Sequence, residues 1–220
     1  MKKLYKALLL KKLLVLKELG VEYIEPIEEF KENKLELPDN IEELRKIVLN
    51  CHLCDLSKSR KRVVFGEGNI KSNLMFVGEA PGASEDEIGR PFVGRAGQLL
   101  TKMIENVLNI PRSSVYITNV VKCRPPNNRT PTKEEALSCK PYLLKEIEIV
   151  KPKLIVALGS TAYYYLTGDK TPISQVRGHI IDMKSYKLIA TYHPSYLLRN
   201  PSAKKEAYKD LLLIKEFLGL

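Results

Sequence analysis

Apolar residues fall along the chain in two rhythms. Residues 4–19 repeat Leu and Lys at helical spacing. From residue 73 the rhythm changes to short apolar runs at 73–78 (NLMFVG), 115–121 (VYITNVV), 154–159 (LIVALG) and 187–192 (KLIATY). Such runs predict strands buried on both faces. Between and after them the spacing predicts helices over 94–108, 133–150, 160–167 and 203–218. Asp39 or Asn40 is placed to cap a further helix over 41–49, with Glu42 and Glu43 in its first turn. Strands alternating with helices predict an α/β fold, a three-layer α/β/α sandwich around a central, mainly parallel four-stranded sheet. Residues 20–40 mix charges with Pro26 and Pro38 and read as a linker. The expected organisation is therefore a helical extension and linker over 1–40 and one domain over 41–220.

Ligands of such sheets sit at the carboxyl ends of the strands. The polar segments Gly78-Glu79-Ala80-Pro81-Gly82, Asn119 onward, Gly159-Ser160-Thr161 and His193-Pro194-Ser195 fall at those ends.

Charge adds a partner class. The chain of 220 residues has a formal net charge of +10. Residues 1–50 hold ten basic and ten acidic side chains, so residues 51–220 carry the whole excess, 26 against 16. A basic globular body points to a polyanion, nucleic acid before an anionic membrane surface. No apolar run approaches the roughly 18–20 residues of a membrane span. Lys6, Lys11 and Lys12 interrupt the only stretch like a signal peptide. A cytoplasmic protein is expected. Two Gln, no Trp and abundant Lys and Glu lean towards a thermophile.

The four cysteines are Cys51, Cys54, Cys123 and Cys139, a C-x2-C pair followed by a C-x15-C pair. Cytosolic proteins rarely use Cys for disulfides. Four thiolates suit an all-cysteine zinc site or an iron–sulfur cluster, the wide second spacing favours a 4Fe–4S cluster, and four unrelated buried thiols are the third alternative. Ligands so dispersed favour a structural clamp over an electron carrier. The clamp would order the loop 124–138, where Arg124 and Arg129 suit a phosphate backbone.

Asn119 interrupts an apolar strand, and a buried Asn needs partners. Its amide offers an acceptor beside a donor, matching the ring N–H and 4-carbonyl of uracil and mismatching cytosine. Phe92, in a glycine-rich loop, is suited to stack on a flat base. His193 is suited to donate to the 2-carbonyl, where charge builds as a glycosidic bond breaks.

The motifs Gly78-Glu79-Ala80-Pro81-Gly82-x-x-Glu85-Asp86, Gly89 to Leu100 (GRPFVGRAGQLL), Thr118 to Pro126 (TNVVKCRPP) and His193 to Arg199 (HPSYLLR) are similar to those of family 4 uracil-DNA glycosylases. These are enzymes of thermophilic bacteria and archaea that carry a 4Fe–4S cluster. The resemblance runs from about Leu44 to the C-terminus and includes all four cysteines. It implies a monofunctional glycosylase that flips uracil from DNA and leaves an abasic site. It also implies that Gly78, Glu79 and Ala80 line the base pocket and that Phe92 stacks. Asn119 would read the base edge, His193 would contact the 2-carbonyl, and Glu85 would occupy the place of a thymine methyl. The loop around Leu197 resembles a wedge that fills the gap left by the flipped nucleotide, with Ser195 and Arg199 on phosphate. On this reading the acids of the loop, including Asp86 and Glu87, wall a pocket for an uncharged base, and Glu79 stabilises the sugar cation or places the water. Family 1 enzymes have Asp where Ala80 stands, and family 5 enzymes have an apolar residue where Glu79 stands.

Three rivals remain open on sequence: a family 5 glycosylase, a DNA-binding module without catalysis, and a small redox protein. A monomer is expected. Residues 1–40 lie outside the resemblance; they are expected to be a packed helix, a solvated tail, or a segment for a partner such as a replication clamp.

Overall fold

The structure is a computed structural model and describes residues 10–11, 13–21 and 37–220. The chain separates into two units, Met1–Glu36 and Leu37–Leu220. In the first, residues 10–11 and 13–18 are helical. Residues 4–9 and 12 of the helix expected there, and residues 22–36 of the expected linker, lie outside the described residues.

The second unit opens with α1 (Ile41–Leu49), capped as expected: the Asn40 side chain accepts from the amides of Glu42 and Glu43 at 2.9 and 3.2 Å. A short α2 (Leu56–Ser59) and β1 (Glu67–Gly68) lead into β2 (Leu74–Gly78), buried at every position. Then come α3 (Ala83–Ile88) and α4 (Arg95–Met103), which continues as a π-helical turn over Ile104–Leu108. After β3 (Tyr116–Asn119) come α5 (Lys133–Val150), β4 (Leu154–Leu158), α6 (Ser160–Thr167) and α7 (Ile173–Val176). β5 (Ile180–Asp182), β6 (Lys187–Thr191), α8 (Pro194–Arg199) and α9 (Lys204–Leu218) complete the unit.

The sheet order is β1-β3-β2-β4-β6-β5. The four strands expected from sequence form its parallel centre, and the sheet is larger than expected because β1 and β5 add antiparallel edges. Those edge strands are two and three residues long and partly exposed, too short to show a period. The central strands are apolar on both faces. Met75, Val77, Ile155 and Ala157 pack with α1, α5 and α6. Phe76, Val156 and Leu158 pack with Leu100 and Ile104 and with Leu211 and Ile214 of α9. The result is the expected α/β/α sandwich.

Register places the chemistry. Gly78 pairs with Asn119 and Leu158 with Thr191, so the strands end level with one another. The chain leaves β2 for β3 on one side, then returns to β4 on the other. That reversal opens a crevice at the carboxyl edge.

Candidate active site

The crevice is a cleft of about 680 Å³. Of the expected base-binding residues, Glu79, Ala80, Glu85, Phe92, Asn119 and His193 line it. Gly78 lies beneath: a Cβ there would overlap Asn119 Oδ1 and the Phe92 ring. The floor therefore depends on a residue without a side chain.

Asn119 ends β3 and is 2% exposed, yet among the described residues its Oδ1 has no hydrogen-bond partner. Buried acceptors are normally satisfied, and leaving one orphaned costs about 1–3 kcal/mol. An orphan lining a cleft marks where a donor on a ligand belongs. The strand holds Asn119 from below: Lys122 Nζ donates to its carbonyl at 2.8 Å and to Thr118 Oγ1 at 2.6 Å, and is ion-paired with Glu146.

His193 caps α8. Its Nδ1 accepts from the Ser195 amide at 3.1 Å and lies 2.7 Å from Ser195 Oγ. A backbone amide can only donate, so Nδ1 carries no proton and Nε2 is the N–H. Enclosure by protein, with the Arg199 charge nearby, lowers the His193 pKa to about 4, against an opposing pull from Glu85. At neutral pH the ring is an uncharged donor. Its centroid lies 5.8 Å from that of Phe92, so two aromatic faces border the same space.

The acidic loop has divided duties. Glu85 Oε1 accepts from the amides of Val93 and Gly94 at 2.9 and 2.8 Å, and Oε2 accepts from Gly82 at 3.1 Å. Asp86 and Glu87 do not wall the cleft as expected. Asp86 is buried and accepts from the amides of Lys61 and Arg62, while Glu87 pairs with Lys61. Only Glu79 and Glu85 of this group face the cleft.

Ser195, Arg199 and Arg129 also line the cleft. Arg129 is spoken for, since both its terminal nitrogens donate to Glu135, at 2.8 and 2.7 Å. Arg124 is not among the lining residues: its Nε donates to Asn128 Oδ1 at 2.8 Å and it approaches Asp86 at 4.0 Å. Leu197 is not placed as a wedge. It is 1% exposed and packs with the core under α8, because a six-residue helix turns its apolar face to the sheet. The side chain offered to the cleft is its neighbour Tyr196, stacked on Tyr192 at 5.0 Å. Neither tyrosine stands out in the sequence, where the only signal is their nearness to His193.

The four cysteines meet at a second, much smaller cavity, walled by Val48, Leu56, Val121 and Tyr142. Among the described residues, no three His, Cys, Asp or Glu converge on a point able to hold one metal ion. All four thiols line this one cavity, as a shared ligand set of thiolates requires. Donors already face the sulfurs: Arg60 to Cys123 at 3.2 Å and the Lys122 amide to Cys139 at 3.3 Å. As free thiols the buried cysteines resist ionisation, and burial pushes Cys139 up to about 12.

Comparison with known proteins follows the same lines. The family model described as the uracil DNA glycosylase superfamily matches residues 65–215. A "Type-4 uracil-DNA glycosylase" of Thermotoga maritima is 50% identical over 80% of this chain and 96% of its own length. Another, of Pyrobaculum aerophilum, is 47% identical over 79% of this chain and 92% of its own. A "Type-5 uracil-DNA glycosylase" of Pyrobaculum aerophilum is 36% identical, over 59% of this chain and 64% of its own. The fold, its carboxyl-edge cleft and these matches agree, and the chain belongs to the uracil DNA glycosylase superfamily.

Proposed function

We propose that the cleft excises uracil from DNA, and the observation that carries this reading is the buried, unpartnered Oδ1 of Asn119. The chain is a uracil-DNA glycosylase of DNA repair. Uracil presents an N–H where cytosine presents a lone pair, so Asn119 Oδ1 accepts from uracil and repels cytosine. The neighbouring amide nitrogen donates to the 4-carbonyl. Phe92 stacks on the ring, and Glu85 occupies the space a 5-methyl group would need.

Duplex DNA hides its glycosidic bonds, so the nucleotide is flipped at a cost of a few kcal/mol. Tyr196, rather than Leu197, is the exposed side chain available to fill the gap. Arg199 and Ser195 serve the backbone. As the bond from C1′ to N1 breaks, its electron pair passes into the base, and negative charge grows on the 2-carbonyl. The neutral His193 Nε2–H donates there. Water adds to C1′ and releases a proton, and the departing uracil anion takes up one proton in turn, giving free uracil and an abasic site. Glu79 lies on the wall, suited to orient that water or to stabilise the sugar cation.

Cys51, Cys54, Cys123 and Cys139 would hold a 4Fe–4S cluster. The cluster would supply cross-links joining the segment after α1, the loop after β3 and α5. The activity is assigned to residues 41–220, with 1–40 as an extension. The Lys- and Glu-rich, Gln-poor composition supports a heat-adapted protein.

The test is a labelled duplex with one uracil opposite guanine, incubated with purified protein and treated with alkali. Cleavage at uracil, and none in a matched thymine duplex, is expected. No cleavage by protein that retains its iron would leave a DNA-binding module instead.

A further inference from the structure

Phe92 is held in an unusual way. Its φ is +53°, the left-handed region that a bulky residue rarely adopts. Such strain persists only where the surroundings over-determine it. The surroundings are on both sides of the loop. In front, Glu85 takes the amides of Val93 and Gly94. Behind, one guanidinium takes the carbonyls: Arg112 Nη2 donates to Pro91 at 2.8 Å and Nη1 to Phe92 at 3.1 Å. The same fork is fixed by Thr101 Oγ1 at 3.0 Å and Glu67 Oε1 at 3.0 Å, and Glu67 is held in turn by Arg90 at 2.8 Å. Gly97 lets α4 lie directly under the loop, since a Cβ there would run into the Phe92 carbonyl.

We propose that Arg112 is a positioning residue for base stacking, setting the Phe92 ring in the plane from which it meets uracil; this rests on the glycosylase reading of the cleft. Arg112 does not itself line the cleft and reaches it only through Phe92. It sits in the 3-10 turn Arg112–Ser114, directly ahead of β3. The strand that ends in Asn119 is therefore preceded by the turn that braces Phe92. One short continuous segment, 112–119, carries both the edge reader and the brace for the face reader. Glu85 gains a second duty on the same logic, clamping the loop as well as crowding the 5-position.

The test is a double-mutant cycle in the full-length protein, read as the single-turnover excision rate on a uracil–guanine duplex. Arg112→Met and Phe92→Ala are each expected to slow excision, by about 10- to 100-fold for a displaced contact. The double variant is expected to match Phe92→Ala within about twofold, because Arg112 acts through that ring. Affinity for a uracil-free duplex should not change. A purely structural role would instead multiply the two losses, which would overturn the proposal, as would wild-type excision by Arg112→Met. Should the Met variant fail to fold, Arg112→Lys keeps the charge without the planar fork and should show a smaller loss of the same pattern. Normal excision by Phe92→Ala, with active wild type, would remove stacking and brace together. Inactive wild type would instead remove the glycosylase reading beneath them.

Discussion

The base cleft and the cysteine cavity grow from the same few residues, yet they are built on opposite principles. Asn119 faces one and Cys123 lines the other. The cleft is wide and is arranged in advance by protein hydrogen bonds: Glu85 on the loop amides, Ser195 on His193, Lys122 under Asn119. Its one buried side-chain atom without a partner among the described residues, Asn119 Oδ1, points to where the ligand goes. The cysteine cavity is tight and apolar, and its polar groups are four sulfurs with a few donors around them. A site that binds and releases must stand complete without its ligand. A site that holds a resident group need only close around it.

Lys122 is the wall between the two. Its amide donates to Cys139, while its ammonium supports Asn119 and pairs with Glu146. Lys122 is 1% exposed and Glu146 0%, so the pair has left water completely. Breaking such a pair strands a charge, at about 3–5 kcal/mol. The largest expected effect is therefore that of Lys122→Met, with a melting temperature lower by about 10 °C for a chain of this size. Adding Glu146→Gln removes the stranded charge and keeps an acceptor for the Gly66 amide and the Tyr116 hydroxyl. That double variant should recover more than half of the loss, as thermal melts would show. If it recovers none, the pair acts through the cysteine site rather than through its own charge.

Asn119→Ala sharpens the contrast from the other side. Loss of an interaction aimed at developing charge and base identity should cost about 10²- to 10³-fold in excision. The fold should not suffer, because the substitution removes an acceptor that nothing among the described residues satisfies. Single-turnover rates and melts on one preparation test both halves. A marked fall in melting temperature would mean that Asn119 is structural and that the cleft does not depend on it.

Smaller effects separate two adjacent residues of α8. Leu197→Ala should destabilise by about 2 kcal/mol or more, as a buried leucine does, and leave the excision rate of folded protein near normal. Tyr196→Ala should leave the melting temperature near normal and slow excision roughly tenfold, the loss of one aromatic stack. The reverse pattern, read by the same two assays, would restore Leu197 as the wedge.

The same pair shows where sequence reading stops. Strands β2, β3, β4 and β6 were legible because continuous apolar runs bounded by turns have few other uses. Asn119 stood out because it broke such a run, and His193 because it ended one. Helix α3 was hidden in a stretch of Gly, Pro and acids that reads as loop; Glu85 reaching back to the Gly82 amide is what starts it. Which face of α8 turns inward depends on what lies under it, so Tyr196 and Leu197 could not be told apart. Arg112 was invisible for a further reason. Its partners in the loop are backbone carbonyls, which every residue has, so no pairing of side chains along the chain announces it.

The smallest effect concerns pH. His193 has its pKa lowered to about 4 by enclosure and by Arg199. An ordinary histidine titrates near 6.5. A lowered histidine favours the fold in its neutral form. Its contribution is therefore whole above about pH 6.5 and is lost progressively as pH falls through the window down to about 4. The donor to the base follows a different curve, because it depends only on the folded-state value. The Nε2–H of a neutral ring is present throughout that window, so excision should stay flat from pH 8 to 5 while stability already declines. Rates at fixed temperature and melts over the same buffers would separate the two curves. A rate that bends near 6.5 would mean that the ring is not enclosed. A rate that rises on acidification would mean that imidazolium is the working donor, and the neutral tautomer held by Ser195 would then have no part in the reaction.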